Sequence, residues 1–204
     1  MTTITRRAVA IAAFAVGFAA SAAFAQAPPT QLVRGTIEKV DGSVIVVKDR
    51  SGADMTVKLA DTPTVTNLVK ITLADIKPGS FIGTAAMPQP DGSQKAISVW
   101  IFPDWIKPPQ MHGPYDVQPG STMTNAIVDT TVSGVDGQVL SVKYTNGEKK
   151  IIVGPNTPLL TYERGDKAAI KVGAKVMVRA AKQPDGSLTA GGVTTTYDGS
   201  VPPM

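Results

Sequence analysis

Cysteine is absent from this 204-residue chain, and histidine occurs once, at His112. The first absence excludes disulfides, thiolate metal centres and cysteine nucleophiles. The second allows at most one histidine-based triad, and neither Gly-x-Ser-x-Gly nor Ser-x-x-Lys accompanies it. Aromatic residues are also few. There are two Trp, four Tyr and five Phe, and Phe14, Phe18 and Phe24 fall within the first 25 residues. The rest are too sparse for a platform on which bases could stack. Charge of one sign is lacking as well. Twenty basic residues face 16 acidic ones, and beyond residue 25 no basic cluster exceeds Lys149-Lys150, which sits beside Glu148. No nucleic-acid partner is expected from such a balance. The segment Asp49-Arg50-Ser51-Gly52-Ala53-Asp54 offers two acids around an arginine. That falls short of the three or more oxygen ligands of a calcium loop. The residues therefore point to a non-enzymatic protein.

The N-terminus has the three parts of a secretory signal. Thr5-Arg6-Arg7 is basic, Ala8–Ala22 is an apolar, alanine-rich run, and Ala23-Phe24-Ala25 is a small-residue cleavage site. Cleavage is expected after Ala25, with a periplasmic or secreted product. A retained membrane anchor is the rival reading, but the run is short for a span of about 20 well-apolar residues. Arg6-Arg7 also permits twin-arginine export. Ala8-Val9-Ala10 fits that signal poorly, so general secretion is favoured. Losing both arginines lowers the basic count from 20 to 18 against 16 acids, and the net charge from +4 to +2. No second apolar run of spanning length follows, so the mature chain is expected to carry no membrane span.

What the chain does have is internal repetition. Gln-Pro-Asp-Gly-Ser stands at 89–93 and again at 183–187. Val40-Asp41-Gly42 returns as Val135-Asp136-Gly137, and Thr62-Pro63 as Thr157-Pro158. Ile76-Lys77 with Gly79 returns as Ile170-Lys171 with Gly173. One unit runs from about Leu32 to Phe102, the other from about Ala126 to Thr196. In the first, Val33, Gly35 and Ile37 alternate with Arg34, Thr36 and Glu38, the period of a half-buried strand. The second is expected to keep this pattern with Val128, Thr130 and Val132. Asp-Gly, Ser51-Gly52 and Asn146-Gly147 supply hairpin turns between β-prone runs. Strands are expected at 44–48, 54–59, 80–87 and 94–102, and at 139–144, 148–153, 174–181 and 188–196. About one helical turn is expected at Thr72–Ile76 and at Lys167–Ile170.

Three meandering strands, a helical turn and a final hairpin match the five-stranded oligonucleotide/oligosaccharide-binding (OB) barrel. The expected fold is all-β, with two tandem five-stranded OB-like barrels at 26–102 and 126–204. A proline-rich connector, 103–125, joins them. A six-stranded or open sandwich is the competing arrangement. Closure answers the exposed-edge problem of short strands.

Both units resemble DUF5666, a domain of exported bacterial proteins. The resemblance is carried by Arg34-Gly35-Thr36, Val40-Asp41-Gly42, Ile76-Lys77-Pro78-Gly79 and Gln89-Pro90-Asp91-Gly92-Ser93. In the second unit Val135-Asp136-Gly137, Ile170-Lys171-Val172-Gly173 and Gln183-Pro184-Asp185-Gly186-Ser187 carry it, while Asp129-Thr130-Thr131 replaces Arg-Gly-Thr. The resemblance implies an OB-like fold in an exported protein. It also implies a role as soluble partner of a metal transporter. The shared elements are turn and helix-end chemistry, which specify fold more than function.

The unrepeated segment 103–125 holds five prolines and two glycines, which exclude a helix through it and favour stiff extended stretches. It also holds Trp105, Met111, His112, Tyr115 and Met123, with Trp100 just upstream. A tether rarely carries so much apolar surface, so packing against one or both barrels is expected. In one reading Trp100, Trp105 and Tyr115 bind a ligand or fix the two barrels against each other. In another, His112, Met111 and Met123 form a soft-metal site, since imidazole and thioethers suit Cu(I) without cysteine. Met55 and Met87 are further candidate thioethers, although methionine more often fills core gaps. The expected function is non-enzymatic binding in the envelope, of a protein, a glycan or copper. A structural envelope module is the remaining alternative.

Overall fold

The computed structural model describes residues 28–134 and 137–196. The segment expected to be a signal, Val135-Asp136 where a turn is expected, and the residues from 197 lie outside them. The described residues form twelve strands: β1 Thr30–Asp41, β2 Val44–Asp49, β3 Asp54–Lys70, β4 Phe81–Pro88, β5 Gln94–Ile101, β6 Met111–Pro114, β7 Thr122–Gly134, β8 Gly137–Tyr144, β9 Gly147–Val153, β10 Leu159–Arg164, β11 Lys175–Lys182 and β12 Leu188–Thr196. Short 3₁₀ turns at Leu73–Asp75 and Lys167–Ala169 stand where helical turns are expected. The fold is all-β, and among the described residues no helix is long and apolar enough to cross a membrane.

Turn chemistry is the same in both repeats. Asp91 Oδ1 accepts from the Ser93 backbone N–H at 2.9 Å and from its hydroxyl at 2.6 Å. Asp185 and Ser187 repeat this at 2.9 and 2.7 Å. Gly92 and Gly186 take the positive φ of 82° and 84° that their turns require. Asp49 is used the same way, accepting from Ser51 and from the Ala53 N–H, so its oxygens serve a turn.

Strand pairing corrects the expectation that each repeat closes on itself. β1, β2 and β3 pair in sequence, but the hairpin completing their ring is β11–β12 from the second repeat. β11 runs antiparallel to β1, with Val33 opposite Val178, and β12 runs parallel to β3, with Leu188 opposite Val57. A second ring joins β7, β8 and β9 to β4–β5 of the first repeat. Each ring therefore has five strands and a core drawn from both repeats. Val33, Ile37, Ile45, Val47, Val57 and Leu59 pack on Val176, Val178, Ala180, Leu188, Ala190 and Val193 in ring one. Ala126, Val128, Leu140, Val142, Ile151 and Val153 pack on Ile82, Ala96 and Val99 in ring two.

The physical reason lies in β3. It runs 17 residues, roughly 55 Å at about 3.3 Å per residue, far past the end of ring one. Leu73 and Ile76, just beyond it, pack into ring two. Ile170, the counterpart of Ile76, packs instead into ring one, as does Ala174 just after it. In the second repeat the same path is broken at Gly154-Pro155-Asn156-Thr157-Pro158 into β9 and β10; Pro158 has its counterpart in Pro63 within β3, so the difference is Pro155, which lacks an N–H and stands where β3 has Ala60. β10 then lies antiparallel on the far half of β3 and parallel to β5, tying the rings together.

Register also corrects the alignment of the first strands. The bulge between Ile37 and Lys39 in β1 recurs between Val128 and Thr130 in β7. Ile37 faces Val47 and Val128 faces Val142. Structurally Ile37 thus matches Val128, and Arg34 matches Asn125. Residues 122–125 belong to β7 and are not connector. The unrepeated segment is shorter than expected, and one part of it, β6, is itself a strand paired with β7.

Candidate functional site

β6 lies along β7 on the edge that β8 leaves open beyond the Ile127–Lys143 pair. Side chains alternate across a strand, so Met111 and Gly113 share one face and His112 the other. Opposite them, Asn125 and Met123 share the first face, and Thr124 pairs with His112. His112 Nδ1 lies 2.9 Å from the Thr124 hydroxyl, and its ring rests 5.9 Å from that of Tyr144. Burial, and secondarily Lys149, holds its pKa below the usual value. Met111 and Met123 face a different space. The structure brings those two methionines together and sets His112 on the other side of the sheet. Met55 packs on ring one.

The space that Met111 and Met123 face is a groove of about 590 Å³. Its walls come from both rings and the unrepeated segment: Leu32, Phe102, Ile106, Tyr115, Tyr162, Met177 and Val193 supply apolar surface. Thr64, Thr66, Asn125 and Thr194 add polar groups, and Arg179 is its one charged lining residue. Beneath it Trp100 is fully buried with Leu68, Ala85 and Leu160, and Tyr115, Met123, Tyr162 and Met177 pack on that cluster. Trp100 Nε1 has no hydrogen-bond partner among the described residues. Phe102 stacks on Tyr162 at 5.7 Å and 11°. Burial pushes the Tyr162 phenol well above its usual range, so it stays neutral.

The segment forming the outer wall is fastened at two points. Asn125 donates to the Pro109 carbonyl at 3.2 Å. Its structural counterpart Arg34 makes the stronger attachment. The Arg34 side chain is 4% exposed and donates to Asp116 through Nη1 at 3.1 Å and Nη2 at 2.9 Å, a bidentate pair. Nη2 also donates to the Tyr115 hydroxyl at 3.1 Å, and the guanidinium lies over the Tyr115 ring. Burial opposes the Arg34 charge, but Asp116 and Tyr115 outweigh it. The same bond holds the Asp116 carboxyl below its ordinary pKa. Ser121 locks the loop behind them, its hydroxyl bonding to the carbonyls of Tyr115 at 2.9 Å and Gln118 at 2.7 Å.

Of the residues singled out from sequence, Trp100, Tyr115, Met111 and Met123 meet at this groove or its floor. Trp105 does not. It is 39% exposed and carries the Arg164 guanidinium 4.8 Å from its ring centroid. Sequence reading missed Arg34, Asp116, Tyr162, Met177 and Arg179. Only Arg34 left a trace, since its Arg-Gly-Thr element is absent from the second repeat. Among the described residues no group of three or more His, Asp or Glu is placed to hold a metal.

Residues 131–194 match a family model described as a domain of unknown function, DUF5666. The match spans the second repeat from β7 to β12, strands that are divided between the two rings here. No curated protein matches the chain, and no solved structure matches it.

Proposed function

We propose that this chain is a non-enzymatic binding protein of the cell envelope, exported by its N-terminal signal, which holds a small, largely apolar molecule in the inter-ring groove. The groove itself carries the reading. Its volume of about 590 Å³ falls within the roughly 300–1,000 Å³ of small-molecule sites, as does its apolar and aromatic wall with a few polar groups. Its lining holds no carboxylate, histidine or cysteine, which supports binding over acid–base or nucleophilic chemistry. We further propose that the rings are two OB-like barrels with exchanged hairpins. The parallel β3–β12 and β5–β9 pairs, each closing a five-stranded ring, support that assignment.

The test is titration with a neutral solvatochromic dye such as Nile red. Saturable binding at one dye per chain is expected, and Thr64→Trp, which fills the groove from an exposed position, abolishes it. No saturable binding by the parent chain, or equal binding by the variant, overturns the proposal. Capture of a peptide or an oligosaccharide in place of the dye would redirect it to a partner protein or a glycan.

A second reading keeps a soft metal. Met111, Met123 and Met177 line one groove, and three thioethers suit Cu(I). In that case Met177→Leu weakens Cu(I) binding and His112→Ala does not, which a competitive Cu(I) chelator assay measures.

A further inference from the structure

We infer that the groove selects an apolar monocarboxylate, with Arg179 as the anchor for its carboxylate; the inference rests on the binding reading above. β1 and β11 run antiparallel, with Leu32 opposite Arg179 and Arg34 opposite Met177. Residues two apart on a strand share a face. Two arginines therefore project from the same face of this strand pair, with the Val33–Val178 pair between their positions. The chain supplies a carboxylate to one of them: Arg34 is held bidentately by Asp116. Arg179 is given none; the described residues make no ion pair with it. It is the one charge on an otherwise neutral lining, so an occupant complementary to the groove is apolar along its length and anionic at one end.

The neighbours of Arg179 fit that chemistry. Tyr162, close enough to feel its charge, is held as a neutral phenol and does not compete as an anion. The Asp116 carboxylate is occupied by Arg34 and lies outside the lining. Thr64 brings a hydroxyl, the Thr66 and Thr194 hydroxyls bond to each other at 2.9 Å, and Met123, Met177, Leu32 and Val193 bring the apolar wall. A polarisable, methionine-bearing wall accommodates a flexible chain without demanding one shape.

Displacement of the bound dye by octanoate, decanoate, dodecanoate and decanol, each below its self-association concentration, tests this. Each added methylene is expected to tighten binding roughly fourfold. Decanoate is expected to bind about threefold to fivefold tighter than decanol, the scale of an exposed ion pair, with the ratio falling as salt is raised. Arg179→Gln is expected to bring that ratio to about one, in a variant shown to be folded by circular dichroism. Equal binding of decanoate and decanol by the parent chain, or an unchanged ratio in Arg179→Gln, overturns the anion inference while leaving the binding reading intact. Failure of both the dye and every alkyl ligand to bind overturns the binding reading itself.

Discussion

Removing Asp116 and removing Arg34 should have unequal consequences. The Arg34 side chain is 4% exposed and its Nε has no hydrogen-bond partner among the described residues. Asp116→Ala would leave a buried cation with only the Tyr115 hydroxyl. Breaking a fully buried pair this way costs about 3–5 kcal/mol. The Asp116 side chain is 64% exposed, however, so water screens the pair, and exposed pairs contribute only about 0–1 kcal/mol. An intermediate loss of about 2 kcal/mol is expected. Arg34→Met removes the cation together with its need for a partner and keeps an apolar stem of similar length. Its expected cost is below about 1 kcal/mol. For a chain of this size about 1 kcal/mol corresponds to roughly 2–4 °C in Tm. Thermal melts should therefore show Asp116→Ala lower than the parent by about 4–8 °C, with Arg34→Met between them. Limited proteolysis should cut the 103–121 segment faster in Asp116→Ala. A melt in which Arg34→Met is the more damaged variant, or unchanged proteolysis in Asp116→Ala, would refute the claim that this pair fastens the groove wall.

Further outcomes follow from other parts of the fold. The pairing of Thr36 with Lys175 predicts that Thr36→Cys with Lys175→Cys forms an intramolecular disulfide, read by mass spectrometry on a chain that has no cysteine of its own. Thr36→Cys with Phe81→Cys, the pair that a self-closed first repeat would bring together, should stay reduced. A Cβ on Gly35 would stand 1.9 Å from the Lys48 carbonyl oxygen, so Gly35→Ala should lower stability by about 2–3 kcal/mol in urea titration. His112 titrates below its ordinary value because of burial and Lys149. The unfolded chain therefore binds its proton first, and stability should fall as pH drops below about 6.5. His112→Gln should remove that step from stability measured between pH 7 and 5. Asp116 is depressed by Arg34, so its contribution is full above about pH 4 and lost on further acidification. Proteolysis of the groove wall should rise in that lower window.

Most strands and turns were legible because their causes are local, whereas the far half of β3, β6 and β10 were not expected. Asp-Gly-Ser turns, alternating Val and Ile, and the two 3₁₀ positions each need only neighbours in sequence. Gly192 marks a close approach of β12 to β3, since a Cβ there would stand 2.5 Å from the Thr64 carbonyl oxygen. The candidate site was half legible. Met111, Met123, Tyr115 and Trp100 stood out as large apolar side chains in or beside an unrepeated, proline-rich stretch. His112 stood out for its rarity, yet a single strand separates it from both methionines because adjacent residues face opposite ways. Arg179, Met177 and Tyr162 carried no signal, since each sits in an ordinary strand and becomes notable only through partners far away in sequence.

By itself the amino-acid sequence determined that the chain carries a β-rich pattern twice, where its hairpins turn, and that a proline-rich stretch between the two copies has no counterpart, though not where that stretch ends. Those properties follow from side-chain period, positive-φ glycines and the loss of repetition. Only the tertiary structure decided which hairpin completes which ring. The two hairpins carry the same turn and similar apolar faces, so local energetics barely distinguish them. The choice rests on the 17-residue course of β3, which delivers the first hairpin to the far ring. That exchange also sets β1, β3, β11 and β12 around one groove. It leaves Arg34 beside the acid that neutralises it, and Arg179 on the same face with no ion pair among the described residues.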